Sequence, residues 1–474
     1  MNNISEIHRA ITENSSSFDG EKKDTAIILA AGHGKRIKSN TSKMLHKLWG
    51  ITTVERVYNS CKSGLTNPNS IIVVGIKALE VINSIGKKEN NSFAYQSEQN
   101  GTGHAVQVGL EKIPDPNYDG NVYVLPGDMG LIDDTTLKMF KSEFENSQND
   151  MMVLTGMFKG NILENYYGRI IRVKEFDDEG RISGEDCNKV IEILEYKDIL
   201  SLKADEKREL EYNGRKYSYT KKELLENREF NSGVFAYKYN YLVELIHKIE
   251  SNNIQKEIYL TDLIDLFNKE GLNVGAIAPE EDHIIMGFNN KSVLKEMEEI
   301  AKSLAYNKIK DLIYIEDPND FYIHENVIEQ LIQMDKKGLP LDIQIGKGVS
   351  IGKGVKPNYG LSTGRNTKLN GSIELGMNIK IADNSVIDGD VKIGDNVLIG
   401  RNISILGNCD IGCNVKISGL SEIRNSKIDD EVNIEHSILI NKRVKREIDF
   451  NGNVIRVRFY LPQIEGNDLI IDKD

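Results

Sequence analysis

Towards the end of the chain, isoleucines recur at a spacing of six: Ile381, Ile387, Ile393, Ile399, Ile405, Ile411, Ile417 and Ile423. Leu375 continues the row upstream, and Ile345 and Ile351 fall in the same phase beyond a break. Turn residues such as Gly346, Gly352, Gly376, Gly394, Gly400 and Gly412 stand between them. A softer row (Val349, Val355, Ile379, Val391, Val397, Ile403, Val415) lies four residues on. A period of six matches neither a 3.6-residue helix nor a plain alternating strand. It predicts short parallel strands joined by tight turns, one inward aliphatic per strand, stacked as a solenoid. With three sides of six residues, about five coils fit between Asp342 and Asn441. Pro357 and Thr363 stand where the row requires isoleucine, which predicts a loop or distorted coil around 356–367. Arg443–Ile470 reads as a β-rich cap, with Asn451-Gly452 a hairpin signal.

The first half has a different pattern. Thr25–Ala31 is a short apolar run that ends in a glycine turn, and Val54–Cys61 follows with helical spacing. Ser70–Gly75, Phe93–Tyr95, Asn121–Leu125 and Met151–Met157 are further strands, with helices predicted over Thr102–Ile113 and Thr135–Phe144. Alternating β and α predicts a mostly parallel sheet with helices on both faces. Ligands of such sheets sit outside the carboxyl ends of the strands. The boundaries implied are a polar N-terminal extension (1–24), an α/β domain (25–290), and a linker helix and connector (291–340). A β-helix (341–441) and a C-terminal β-rich cap (442–474) follow. Arg181–Arg228 is polar and charged, an insertion or flap, with its extra residues over 199–229.

At 474 residues, 39% of them hydrophobic and 28% charged, the chain is globular and long enough for two or three domains. A net charge of −12 argues against nucleic acid or an anionic membrane surface as the main partner. No apolar run approaches the ~18–20 residues of a membrane span. Met1–Glu21 lacks the apolar core of a secretory signal. The four cysteines (Cys61, Cys187, Cys409, Cys413) have no CxxC spacing, so a reduced, cytoplasmic protein is the expectation.

The first strand leads into Leu29-Ala30-Ala31-Gly32-His33-Gly34-Lys35-Arg36, with Lys43 close behind. This is neither a Walker loop nor a complete dinucleotide fingerprint. Gly32 and Gly34 would let backbone N–H groups approach phosphate oxygens, and Lys35, Arg36 and Lys43 supply cationic donors. The same stretch also reads as a plain strand-to-helix turn with surface lysines. Gln96-Ser-Glu-Gln99-Asn-Gly101-Thr102-Gly103-His104-Ala105 opens a helix where backbone and amide groups can read a planar ring. It reads equally as a helix capped by Thr102, with His104 a structural residue at the helix start. Leu125-Pro126-Gly127-Asp128 ends a strand in an acid, a place for a divalent cation bridging phosphates.

These motifs resemble the sugar-nucleotide pyrophosphorylases, and Lys43-Met-Leu-His46 and Gln96–Ala105 are most similar to bacterial N-acetylglucosamine-1-phosphate uridylyltransferases. Lys35 and Ser42 depart from that pattern, where the family usually has Thr and Pro, and Pro126 replaces a frequent Tyr. The resemblance implies a Rossmann-like nucleotidyltransferase domain followed by a left-handed parallel β-helix. It implies that Leu29, Ala30, Ala31, Gly32, Gly34 and Gly127 line the nucleotide. Gln96 and Gly101 would face uracil, with Gln99 and Thr102 near it. Arg36, Lys43 and Asp128 would be catalytic, and Asp128 and Asn289 (in Gly287-Phe-Asn289-Asn290) would hold Mg2+. Tyr167-Gly168-Arg169-Ile170, Leu194-Glu195-Tyr-Lys-Asp198 and Phe230-Asn231-Ser232-Gly233 resemble its sugar-site turns, so Gly168, Glu195 and Asn231 would contact the sugar. Tyr259-Leu-Thr-Asp262 matches as a packing and loop-ordering element.

The implied reaction is Mg2+-dependent uridylyl transfer from UTP to N-acetylglucosamine 1-phosphate, in a homotrimer formed through the β-helix. The attacking phosphate is already ionised, so no general base or nucleophilic side chain is required. Other members of this class act on another base or sugar, also acetylate glucosamine 1-phosphate, or serve as non-catalytic regulatory subunits. The acetyltransferase half of bifunctional relatives carries a His, a Tyr-x-Gly-Asp and an Asn-Tyr-Asp-Gly stretch. Here Asn358-Tyr359-Gly360 lacks the Asp and His436 stands in a different context, so acetylation is not expected.

Overall fold

The computed structural model describes residues 4–32, 37–203, 205–251, 253–448 and 454–460. The chain divides into two compact units, Met1–Met297 and Glu298–Asp474, the division falling inside the helix Lys291–Ile309.

The first unit is built on one sheet. Its main strand order is Val274–Ile277, Met151–Met157, Glu229–Lys238, Asn121–Pro126, Asp24–Ala30, Asn69–Val74, Asn91–Tyr95. Asp24–Ala30 lies parallel between Asn69–Val74 and Asn121–Pro126, whereas Glu229–Lys238 runs antiparallel to both of its neighbours in this order, and Arg169–Arg172 and Val190–Leu194 add an antiparallel pair beside it. Alternation along the first strand explains the layering. Ala26, Ile28 and Ala30 pack with helices Thr53–Gly64 and Asp134–Asn146, through Val54, Tyr58, Leu137 and Phe140. Ile27 and Ala31 face the other way, onto Val106, Leu110, Leu263 and Phe267. Burying both faces removes the apolar run from water and obliges the polar loops to collect at the strand ends.

Two segments that look polar in sequence take part in this packing. Helix Ile4–Asn14 buries Ile7 and Ile11 in the first layer, and Ser15 and Ser16 accept from the Phe93 and Asn91 N–H groups at 3.1 and 2.9 Å. Within the insertion, Lys207–Tyr212 and Arg215–Thr220 form a hairpin, followed by a short helix whose capping box joins Thr220 and Glu223. Tyr217, Tyr219 and Leu224 form a separate core with Ile171, Val173, Ile191 and Leu194. Some of the charges the sequence displays there form ion pairs, Lys174 with Glu223 and Arg208 with Glu192, outside this small apolar core.

The second unit is a parallel β-helix. Successive coils pair at an offset of eighteen residues, Ile387 on Ile405 and Leu398 on Lys416, consistent with a left-handed β-helix of three six-residue sides. The isoleucines from Ile381 to Ile423 are all buried. Asparagines take the left-handed corner positions with positive φ and bond to one another up the stack, Asn378 to Asn396 at 3.0 Å and Asn396 to Asn414 at 3.3 Å. The distorted coil expected at 356–367 does not occur. Thr363 pairs in register between Ile345 and Ile381, and its buried hydroxyl donates to the Gln344 carbonyl, which makes the polar replacement tolerable. Distortion comes later instead: the offset drops to seventeen at Asp410–Lys427 and sixteen at Lys427–Arg443. Strands Tyr314–Ile315 and Phe321–Ile323 pair onto the stack ahead of residue 341. Strands Lys442–Ile448 and Val454–Tyr460 form an antiparallel pair at its end, and Asn451-Gly452 lies outside the described residues.

Candidate active site

The first unit places most of the sequence motifs at the carboxyl ends of its central parallel strands. Leu29 and Ala30 end the first strand, followed by Ala31 and an exposed Gly32. Gly34 and Arg36 lie outside the described residues. Asn121–Pro126 ends beside that strand, and the Gly127 N–H donates to the Leu29 carbonyl at 2.9 Å. A Cβ at 127 would sit 3.1 Å from that same oxygen and 3.2 Å from Met44 Sδ, so this close crossing suits glycine.

Asp128, next in the chain, is 8% exposed. Its carboxylate pairs with the Lys43 ammonium, and Lys43 also donates to the Asn289 amide oxygen at 3.0 Å. The Lys43 ammonium lies 5.4 Å from the centre of the Phe288 ring. Lys43 itself stands on a single 3-10 turn, Lys43–Leu45, held by the bond from the Leu45 N–H to Ser42 O. Thus two hard oxygen donors, one charged, converge on a cation. Among the described residues no group of three or more His, Cys, Asp and Glu is arranged to hold a metal. The Asp128–Asn289 pair nevertheless suits an ion that takes one or two protein oxygens and completes its shell with water and phosphate. A Cβ at Gly287 would stand 3.4 Å from Asp128 Oδ2, in ordinary contact, so the Gly287 backbone lies directly against the carboxylate.

The Gln96–Ala105 loop is stapled from behind. Gly103 N–H donates to the Ile258 carbonyl and Ile258 N–H to the Asn100 carbonyl, both at 2.8 Å. The Leu260 N–H donates to Thr102 Oγ1 at 3.0 Å, so this hydroxyl ties the loop to Tyr259–Asp262 and does not cap its helix. Gly101 has φ +107°, and a Cβ there would stand 2.4 Å from the Ile258 oxygen. Gln96 Nε2 donates to the Gly101 carbonyl at 3.2 Å and lies 3.2 Å from His104 Nδ1. His104, a helix-start residue in the sequence reading, therefore also orients Gln96. Gln99 Nε2 donates to Gln96 O at 3.3 Å. A Cβ at Gly75 would touch both Gln99 Nε2 (3.0 Å) and Ala31 O (2.8 Å), so this loop abuts the end of the first strand.

A third group of residues completes the floor. The Asn231 N–H donates to Gly168 O at 2.9 Å, and the Asn231 side-chain oxygen accepts from the Gly233 N–H at 2.8 Å. The register shift between Asn231 and Val234 is a bulge that re-aims this turn. Glu195 lies against Gly168, with Oε1 3.1 Å from where a Cβ would be. Burial, then the carboxylates of Asp198, Asp262 and Glu257, push the Glu195 carboxyl up to about 7. Asp262 is likewise pushed to about 7, by burial and then Glu192, Asp198 and Asp265. Tyr167, not singled out as a site residue by its sequence, links the groups. It stacks on Phe230 at 4.6 Å, donates its hydroxyl to Gly287 O at 3.1 Å, and has a phenol pushed to about 12 by burial and the Asp128 charge. Its position in the Tyr167-Gly168 turn is the signal that could have found it.

A parallel-rich α/β sheet with glycine turns, a cation and an acid at its carboxyl edge defines a nucleotidyltransferase domain, and residues 26–168 match the MobA-like NTP transferase domain. The particular relatives carry one name. The chain is 34% identical to Bifunctional protein GlmU of Acetivibrio thermocellus over 303 residues, 64% of this chain and 57% of that one. It is 33% identical to the GlmU of Clostridium tetani (68% and 62% covered) and 35% identical to that of Alkaliphilus metalliredigens (64% and 57%). The chain thus spans about three fifths of the length of these homologues. Among the described residues no helix is long and apolar enough to cross a membrane.

Proposed function

We propose that the first unit transfers a uridylyl group from UTP to N-acetylglucosamine 1-phosphate, releasing pyrophosphate. The observation that carries this reading is the meeting of Lys43, Asp128 and Asn289 beside the Tyr167–Gly168 turn. Gln96 and the Gly101 backbone would read the uracil edge, and Gln99, Thr102, Leu29–Gly32 and Gly127 would shape the rest of the nucleotide pocket. Gly168, Glu195 and Asn231 would hold the sugar.

The sugar phosphate is the nucleophile, so the protein has to orient two anions in line and neutralise charge developing at the α-phosphate. Lys43 supplies an ammonium for that charge, and Arg36 a guanidinium for the leaving pyrophosphate. Asp128 and Asn289 would hold a divalent cation, Mg2+ in our reading, which as a Lewis acid would polarise the phosphate oxygens. The half-buried Glu195 carboxyl, pushed up to about 7, would exchange a hydrogen bond with a sugar hydroxyl. We further propose a cytoplasmic protein, trimeric through the β-helix, and assign no acetyl transfer to its second unit.

Purified protein given UTP, N-acetylglucosamine 1-phosphate and Mg2+ should release pyrophosphate, and Asp128→Ala should abolish the release. Turnover only with another nucleotide or sugar phosphate would replace the substrate assignment, and no turnover with any would refute the enzymatic reading. Acetylation of glucosamine 1-phosphate from acetyl-CoA would refute the assignment of a single activity, and a monomer by light scattering would refute the trimer.

A further inference from the structure

The Lys43 ammonium occupies the position at which Asp128 and Asn289 would hold a metal ion. It pairs directly with the Asp128 carboxylate and donates to the Asn289 side-chain oxygen, with the side chains of Lys43 and Asp128 only 13% and 11% exposed. We propose that Lys43 is a place-holding cation, so that metal binds strongly only once a nucleotide triphosphate has drawn the lysine onto its phosphates. This rests on the reading of Asp128 and Asn289 as metal ligands.

The argument is one of competing charges. A buried carboxylate left without a partner is costly, and Lys43 removes that cost in the ligand-free protein. A divalent cation arriving alone must displace an ammonium already bound to both oxygens. The two cations cannot share the Asp128 oxygen at contact distance, because like charges there repel. Its apparent affinity is therefore reduced by the small fraction of protein in which Lys43 is detached. A triphosphate changes both sides of the balance. It offers Lys43 an anion richer in charge than one carboxylate, and it offers the metal oxygen ligands that the protein pair lacks. Nucleotide and metal must then favour each other's binding by the same factor. The lysine moves only a side-chain length, its turn remaining held at Ser42 and Leu45. Such coupling keeps the acidic position from collecting stray divalent ions between turnovers.

The test is Mn2+ binding to the full chain, read from water-proton relaxation enhancement, which reports protein-bound ion, with and without UTP and with no sugar phosphate present. Lys43→Gln and Lys43→Met should each bind Mn2+ about tenfold more tightly than wild type without nucleotide. UTP should tighten Mn2+ binding strongly in wild type and much less in either variant. Two variants of different polarity guard against misfolding of one. If both bind nucleotide-free Mn2+ no better than wild type while Asp128→Asn loses the UTP-dependent tightening, the place-holding role is refuted and the metal reading stands. If Asp128→Asn keeps that tightening, the metal reading fails and this proposal with it.

Discussion

The main-chain N–H of Asn231 donates to the carbonyl of Gly168 at 2.9 Å, joining two turns from different strands. A side chain at 168 would meet the Glu195 carboxylate at 3.1 Å and Ile193 Cγ2 at 3.2 Å. The carboxylate is the mobile end of a flexible side chain, so it is the group that would yield. Gly168→Ala should therefore leave the thermal midpoint nearly unchanged while lowering kcat/KM for the sugar phosphate by about 10–100-fold, the effect of displacing one positioned group. Steady-state kinetics with the sugar phosphate varied at saturating UTP check this.

Gly101 presents the opposite case. Its φ of +107° is strained for any L side chain, and the atom a Cβ would strike is the Ile258 backbone oxygen at 2.4 Å, which cannot swing away. Gly101→Ala should cost about 1–3 kcal/mol in loop conformation and weaken UTP binding by tenfold or more. Calorimetric titration with UTP reads the loss, and sugar-phosphate KM should move far less.

Tyr167→Phe deletes the hydroxyl that donates to Gly287 O while keeping the stack on Phe230. Loss of one hydrogen bond costs about 1 kcal/mol, and the oxygen it served can find water. The segment carrying Asn289 should loosen, so a fall of several-fold in kcat is expected. The fall should be partly restored by raising the divalent cation concentration, which a metal titration of the rate would reveal.

The carboxyls of Glu195 and Asp262 are both raised to about 7 from ordinary values near 4.5 and 3.8. The folded protein therefore holds protons that the unfolded chain has released. The associated stability is fully present below the unfolded values and is lost as pH rises through about 7. Thermal melts of the ligand-free protein should fall between pH ~5 and ~8, and Glu195→Gln, which cannot ionise, should flatten that fall. An unchanged slope in the variant would show that Glu195 is not among the groups responsible.

In the β-helix, Ile405 is fully buried between Ile387 and Ile423. Ile405→Ala should destabilise the second unit by about 2–5 kcal/mol, because a six-residue side leaves no neighbouring chain able to fill the hole. Differential scanning calorimetry should show the loss, with uridylyl transfer at low temperature little affected.

The repeat was legible because its information is local. Each isoleucine lies six residues from the next, and the observed eighteen-residue offset is three such sides. The one-residue and two-residue shortenings after Asp410 were not legible, since they are set by which coil the strand rests on. Tyr259–Asp262 was legible as a loop-ordering element, and its Leu260 does bond Thr102, while the preceding Ile258, which the motif did not include, holds Asn100 and Gly103. The N-terminal helix was passed over although Ile4, Ile7 and Ile11 stand at helical spacing, because that narrow stripe lies in an otherwise polar segment.

By itself the sequence determined the two architectures and the chemical types at the site, because periodicity and glycine turns are read over short stretches of chain. Only the tertiary structure decided which of those groups share a charge. Lys43 and Asn289 stand 246 residues apart, and Asp128 comes from a third segment. Their meeting depends on three loops emerging at one edge of a twisted sheet. That convergence makes Lys43 a partner of the acid as well as a candidate for phosphate. It also turns Thr102 from a helix cap into a tie between loops.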